Sequence, residues 1–381
     1  MSINLFLEEL LFLNWKKNNS LSYKGTCIEI NLNNLKNNLN YIRDKVNDQT
    51  KILCVVKADG YGSDSIEIGK CLEKNGADYL AVAYTNEGIK LRKSGIKTPI
   101  LVLHPQFDDF NEIIENDLEP NIYSFRILKA FLSKSQKHPF HIKFNTGLNR
   151  LGFSINDIDR LHNVLGSNSH IKYIFSHLGA SEDLEEKKFT LDQINLFEKI
   201  IEKIENKFCK KFNKHLLNSS GILNYPKYQY DMVRSGIALY GYGNNKIYKG
   251  ELKPVLFLKS VISQIHEIKK GESVGYNRGF IANNDIKIAI IPIGHADGIS
   301  RSLGNGKVGF IINNKVAKTV GNICMDMLML DISQVNCKEG DLVSIIDDQI
   351  QTAEDFGSSA NTISYEILTA LSSRIKRIVI S

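Results

Sequence analysis

Between residue 26 and about residue 242, short apolar runs alternate with segments whose apolar positions recur every three or four residues. The short runs have strand length: Cys27–Asn31, Ile52–Lys57, Tyr79–Ala83, Ile100–Leu103, Asn121–Tyr123, His141–Phe144, Tyr173–Ser176, Leu216–Asn218 and Met232–Arg234. The segments between them, such as Leu32–Val46, Ser65–Asn75, Asn86–Ser94, Asn156–Leu165 and Leu191–Lys207, carry the helical period. Nearly continuous apolar runs are what strands buried on both faces require. Strands alternating with helices over this length predict a (β/α)8 barrel. There is one run more than a barrel closes with, so either the first lies outside it or one run is not a strand.

After about Leu252 the rhythm changes. Val255–Ile268, Ile286–Ile293, Val308–Ile312, Val316–Val320, Met327–Asp331 and Leu342–Ile346 are strand-like, with turn signals at Gly304-Asn305-Gly306 and Asn313-Asn314. Only Thr362–Arg374 near the end has a helical face, made by Ile363, Ile367, Ala370 and Leu371. The expected class is therefore α/β plus β: an N-terminal TIM-like barrel over 26–252 and a mainly β domain over 253–381. Residues 1–25 form an extension whose Leu and Phe spacing suits one short amphipathic helix. Glu8 and Glu9 interrupt its apolar stretch, and no basic leader or small-residue cleavage site accompanies it, which argues against a signal peptide. No apolar run reaches membrane-spanning length. A cytoplasmic protein with no membrane association is expected.

Composition narrows the class further. The 381 residues, 43% of them apolar, can bury a large core. The net charge of +6 is modest and interspersed, which reads as solvated surface and excludes a nucleic-acid footprint. The six cysteines form no Cys-x-x-Cys pair, so neither a disulfide framework nor a metal site is expected.

Chemistry concentrates first in Val56-Lys57-Ala58-Asp59-Gly60-Tyr61-Gly62, directly after an apolar run. A parallel barrel keeps its reactive groups at the C-terminal ends of its strands. A lysine there, taken alone, is more often a snorkelling charge than a catalyst. The tyrosine and glycines that follow change the balance. An imine-forming lysine needs a low-dielectric site, and a phosphate beside it needs hydroxyl and backbone N–H donors.

The heptapeptide resembles the cofactor-lysine motif of the alanine racemase family. The resemblance continues in the family's order through Lys143-Phe-Asn-Thr-Gly-Leu-Asn-Arg150-Leu-Gly-Phe, Ser176-His177-Leu, Asn218-Ser219-Ser220 and Asp231-Met-Val-Arg234-Ser-Gly236-Ile237. It goes on through Val274-Gly275-Tyr276, Gly294-His-Ala-Asp-Gly298, Gly321-Asn-Ile-Cys-Met325-Asp326 and Tyr365-Glu366. It implies an isomerase that interconverts L- and D-alanine with pyridoxal 5'-phosphate and supplies D-alanine for peptidoglycan. Lys57 is implied as imine-forming lysine and one base. Tyr276 is implied as the opposite base, supplied by the partner in a homodimer with shared active sites. His177 would hydrogen-bond that tyrosine; alone it would read as a satisfied core histidine, but within this constellation the functional reading is the one taken. Arg234 would face the pyridine nitrogen. Tyr61, Ser219, Tyr365 and the N–H groups of Gly236 and Ile237 would hold the phosphate. Arg150 and the N–H of Met325 would take the substrate carboxylate. Lys143 matches a lysine that buttresses this arginine, either carbamylated, as in some members, or unmodified in a salt bridge.

The chain departs from the family pattern at several places. Asn145 stands where Asp is common, and Leu148-Asn149 replaces a Met-Gly type pair. In the substrate channel His295 replaces Tyr and Asn322 replaces Arg, while Arg301 and Glu182 supply channel charges. These changes bear on access and support rather than on Lys57 or Tyr276. The alternatives are a racemase of broader substrate range, a decarboxylase on the same barrel, and a non-catalytic pyridoxal-phosphate carrier. A carrier has no need of a β domain bearing Tyr276.

Overall fold

The structure is a computed structural model that describes residues 25–166, 169–243 and 250–380. The helix expected within residues 1–25 lies outside the described residues, apart from Gly25. β1 (Cys27–Asn31) pairs with β19 (Lys376–Ile380) and takes no part in the barrel, which accounts for the surplus strand.

Eight parallel strands close the barrel in chain order. They are β2 (Lys51–Val55), β3 (Tyr79–Val82), β4 (Ile100–Val102), β5 (Glu119–Ile122), β6 (Phe140–Lys143), β7 (Ile171–Phe175), β8 (Asn213–His215) and β9 (Met232–Ser235). β9 closes the ring by pairing with β2, Ile52 opposite Val233. β8 lies three residues before the expected Leu216–Asn218. Its register against β7 is fixed at Tyr173–Asn213 and Phe175–His215. Leu216 and Leu217 are fully buried beyond the strand's end, and Asn218 then caps the helix Ser219–Asn224, its Oδ1 accepting from Gly221 N at 2.9 Å.

The covering helices form for ordinary reasons. Leu32–Arg43 starts where Asn31 Oδ1 accepts from Asn34 N at 3.0 Å, and it buries Leu35, Leu39 and Ile42. Lys187–Phe208 buries Ile194, Phe197, Ile201, Ile204 and Phe208 at spacings of three and four. Each such side chain contributes about 1.5–3 kcal/mol relative to exposure.

The second compact unit spans Leu258–Ile345 with Gly25–Cys27. Its strands are antiparallel. They include β11 (Gln264–Ile268), β14 (Ile286–Ile291), β15 (Gly309–Ile312), β16 (Lys315–Val320), β17 (Leu328–Asp331) and β18 (Leu342–Ile346), ordered β11-β14-β17-β16-β15-β18. Asn313 and Asn314 both take positive φ, 49° and 62°, as a two-residue hairpin turn between β15 and β16 demands. A small hairpin of β12 (Ser273–Val274) and β13 (Phe280–Ile281) packs Val274 against Ile288, Val320 and Met329.

By their contacts, residues 346–380 group with the barrel. Specific contacts hold them there. Arg377 donates to Gly62 O at 3.0 Å and to Ser63 O at 3.2 Å, and Ala353 N donates to the Tyr242 hydroxyl at 3.4 Å. The helix expected over Thr362–Arg374 forms as the shorter Ser364–Ala370, and another short helix, Ala353–Ser359, precedes it. No helix among the described residues is long and apolar enough to cross a membrane.

Candidate active site

Lys57 follows β2 by two residues and opens an unusual turn. Ala58, Asp59, Gly60 and Tyr61 all lie in the left-handed helical region, with φ of 53°, 51°, 65° and 54°, and Gly62 follows at 79°. A non-glycine residue there costs roughly 1–2 kcal/mol, so three of them within four residues need external support. Glu87 supplies it. Its Oε1 accepts from Ala58 N at 2.7 Å, and its Oε2 accepts from Ala83 N and Tyr84 N. Asp59 Oδ1 accepts from Ser65 Oγ and from Lys90 Nζ, the latter at 2.6 Å. The turn is thus clamped to β3 and to two neighbouring helices.

Four cations converge on this mouth. Lys143 ends β6, Arg150 lies in the following loop and Arg234 lies within β9. Burial, then Arg150, push the Lys57 ammonium below its ordinary pKa, and Glu87 opposes them. Burial, together with Arg150, Arg234 and Lys57, pushes Lys143 down to about 7. No carboxylate among the described residues lies within ion-pair distance of Lys143, whose Nζ sits 5.9 Å over the Phe175 ring. The expected salt bridge to an unmodified lysine is therefore not formed, because the groups around it are cations and an aromatic face.

Arg234 is buried and held by Ser176 O, Leu216 O, His177 Nδ1 and His215 Nδ1 at 2.7–3.0 Å. Burial lowers it to about 9, so it stays cationic at neutral pH. Arginine can only donate, so His177 Nδ1 accepts and the His177 proton sits on Nε2. Burial, with the cations around it, keeps that imidazole neutral.

A cradle lies beside the lysine. Tyr61 stacks on Tyr240 with centroids 4.4 Å apart, and Tyr365 lies 6.1 Å from it. A Cβ on Gly236 would meet the Tyr61 hydroxyl at 2.6 Å, so only glycine lets the chain run past this phenol. Burial pushes the Tyr61 phenol up, which keeps it a neutral donor. Ser219 Oγ accepts from Gly236 N at 2.9 Å, so that N–H is engaged within the protein. Ile237 opens the single turn Ile237–Tyr240, whose first N–H groups have no partner within the turn.

The departures near Arg150 keep the local structure. Asn145 Oδ1 accepts from Gly147 N at 3.1 Å and Asn149 N at 3.0 Å, which is the bracing a carboxylate would give. Asn149 has φ of 55°, a conformation asparagine tolerates better than most residues.

In the β unit, Tyr276 occupies the β12–β13 turn and is 71% exposed. Asn322 braces it, donating from Nδ2 to Tyr276 O at 3.0 Å. Met325 is 58% exposed, and its carbonyl accepts from Ala296 N while Cys324 O accepts from His295 N. Exposed His295 is thus tied to the Met325 loop. Arg301 is exposed and Glu182 half-buried, each at the surface of its own unit.

Sequence reading missed Glu87, Tyr240, Glu119, His141 and His215. The last three are buried polar residues on barrel strands. His141, two before Lys143 on β6, faces the same way as that lysine, which was the available signal.

A lysine beyond a parallel barrel strand, ringed by cations and next to a glycine-and-tyrosine cradle, makes this mouth the candidate site of a barrel enzyme. Family models agree. Residues 30–244 match the alanine racemase N-terminal domain and 255–379 the alanine racemase C-terminal domain. The alanine racemase of Clostridium kluyveri is 35% identical, covering 94% of this chain and 95% of that protein. The solved alanine racemase of Clostridium difficile 630 superposes with a TM-score of 0.87 at 33% identity, covering 95% and 97%. That of Bartonella henselae, solved with covalently bound pyridoxal phosphate, gives 0.86 at 28%, covering 93% and 99%. The chain belongs to the alanine racemase family.

Proposed function

We propose that this protein interconverts L- and D-alanine by two-base proton transfer, with Lys57 and Tyr276 as the bases, and that its product is D-alanine for peptidoglycan. The carrying observation is the convergence of Lys57, Lys143, Arg150 and Arg234 on one barrel mouth beside the Tyr61–Gly236 cradle.

This donor set fits pyridoxal 5'-phosphate, the group bound in the Bartonella henselae relative. Lys57 would hold it covalently. Tyr61, Tyr365, Ser219 and the Ile237 N–H would hold its phosphate, joined by the Gly236 N–H on release from Ser219 Oγ, and Arg234 would face its ring nitrogen. When bound, it supplies the electron sink that makes the α-proton of an amino acid acidic. The cationic Arg234 keeps its own protons, so it would offer the group facing it a hydrogen bond and no proton. An electron sink left unprotonated in this way would delocalise charge less, which would favour return of a proton to Cα on either face over transamination.

Lys57 exchanges the proton on one face of Cα. Its lowered pKa supports this, since a base must be partly uncharged at working pH. Tyr276 exchanges it on the other face. The Nε2–H of His177 is a donor suited to stabilising a phenolate there. Arg150 and the Met325 N–H hold the substrate carboxylate. Lys143 in carbamylated form would give Arg150 an anionic partner, and its depressed pKa supports that form because only the free amine takes up carbon dioxide. Two copies would share their sites, Tyr276 and Met325 of one serving Lys57 of the other, and the exposure of both residues supports this. A cytoplasmic setting is part of the proposal.

The test is racemisation measured by chiral separation across an amino-acid panel. Alanine should turn over fastest. Equal rates for serine or lysine would replace the alanine assignment with a broad-range racemase, and no turnover of any would sink the enzyme reading.

A further inference from the structure

Away from the mouth, the barrel interior holds polar groups that the reaction does not use. Glu119, at the start of β5, accepts at Oε2 from His141 Nε2 at 2.9 Å. His141 Nδ1 lies 3.3 Å from His215 Nε2, and His215 Nδ1 lies 2.7 Å from Arg234 Nη1. All four residues are buried. We propose that Glu119 is a positioning residue for Arg234, fixing through His141 and His215 a one-way row of hydrogen bonds that aims the guanidinium at the mouth. This rests on the reading that Arg234 faces the cofactor.

Donor chemistry allows only one arrangement. Arginine has no acceptor, so His215 Nδ1 must accept and its proton must sit on Nε2. His141 Nδ1 must then accept, which places its proton on Nε2, facing Glu119. The carboxylate is the acceptor that ends the row. Burial keeps both imidazoles neutral, as the arrangement needs. Burial alone would raise the Glu119 carboxyl, but the hydrogen bond from His141 and the hydrogen bond and charge of Lys172 hold it below the usual range. Lys172 Nζ sits 2.5 Å from Oε1. Aromatic walls hold the rings in place: Phe175 stacks on His215 at 4.5 Å and 7°, and Tyr173 on His141 at 4.9 Å and 26°. Without the carboxylate, a reversed His141 sets donor against donor at His215, and a reversed His215 sets donor against donor at Arg234. The mouth-facing guanidinium is then no longer pinned.

Neutron diffraction from crystals of the cofactor-loaded wild-type enzyme tests the row directly. Hydrogen is expected on Nε2 of His141 and His215 and on neither Nδ1. Hydrogen on either Nδ1 overturns the proposal, whatever any variant does. Glu119→Gln leaves one oxygen for two donors; with Lys172 taking it, the amide NH2 faces His141 Nε2 and the row loses its acceptor. This substitution should lower kcat about tenfold to a hundredfold, the range for losing an outer hydrogen bond that orients a functional group. It should shift the visible absorbance of the bound cofactor and change KM by less than about twofold. In an Arg234→Lys background the same substitution should cost less than about twofold, there being no guanidinium left to aim. A Glu119→Gln enzyme with lowered Tm but unchanged kcat and absorbance, or fully additive losses in the double variant, would show a merely structural role and overturn it. A wild-type enzyme that fails to racemise alanine speaks against the parent reading instead, and the hydrogen positions still decide this one.

Discussion

Gly236→Ala probes the cradle with one methyl group. The new Cβ would lie 2.6 Å from the Tyr61 hydroxyl, about 0.8 Å inside ordinary contact distance. Neither partner yields easily. Gly236 follows β9, whose pairing with β2 fixes its backbone, and Tyr61 is buried, stacked on Tyr240 and part of the left-handed turn after Lys57. Overpacking of this kind costs about 1–3 kcal/mol. The phenol must swing out of the place where the phosphate is proposed to sit, so the loss falls on cofactor binding more than on the fold. Cofactor Kd, from fluorescence titration of the resolved enzyme, should rise by about fivefold to a hundredfold, and Tm of the cofactor-free protein should fall by only a few degrees. Unchanged cofactor affinity with a large drop in Tm would refute the cradle and leave Gly236 as a packing residue.

Three further outcomes are expected. Borohydride reduction and peptide mapping should place the cofactor adduct on Lys57, and an adduct on Lys143 would reverse the two lysines' roles. Mixing Lys57→Ala with Tyr276→Phe protein should restore part of the activity, since a mixed dimer keeps one site with both bases; no recovery after demonstrated subunit exchange would place both bases in one chain. In buffers free of carbon dioxide, stability to urea should rise between about pH 7 and 10: Lys143 sheds its proton near 7 when folded and near 10.5 when unfolded, so the unfolded chain binds more protons across that window. Lys143→Met should flatten the rise, and an undiminished slope in that variant would show that Lys143 is not its source.

Much of the candidate site could be nominated from the chain because the motifs that carry the family resemblance are local. Lys57 with its Gly-Tyr-Gly tail, Arg150 with its loop and Arg234-Ser-Gly236 each lie beside a strand end, and an apolar run ending in charged and glycine residues shows where that end falls. The barrel itself followed from the alternation of two periods, which local burial imposes residue by residue. Tertiary structure alone decided the rest. The pairing of β7 with β8 placed that strand at Asn213–His215, since register depends on a neighbour 40 residues away. Contacts of Arg377 with Gly62 and Ser63 drew residues 346–380 to the barrel, which no periodicity announces. Glu87 was invisible because its task is to hold three N–H groups that only the left-handed turn and β3 bring together. The same holds for the row from Glu119 to Arg234. Glu119, His141 and His215 lie far apart in the chain and in no common motif, and closure of the barrel is what sets them within hydrogen-bonding distance of one another and of Arg234, where the one-way donor chemistry of arginine gives them a common direction.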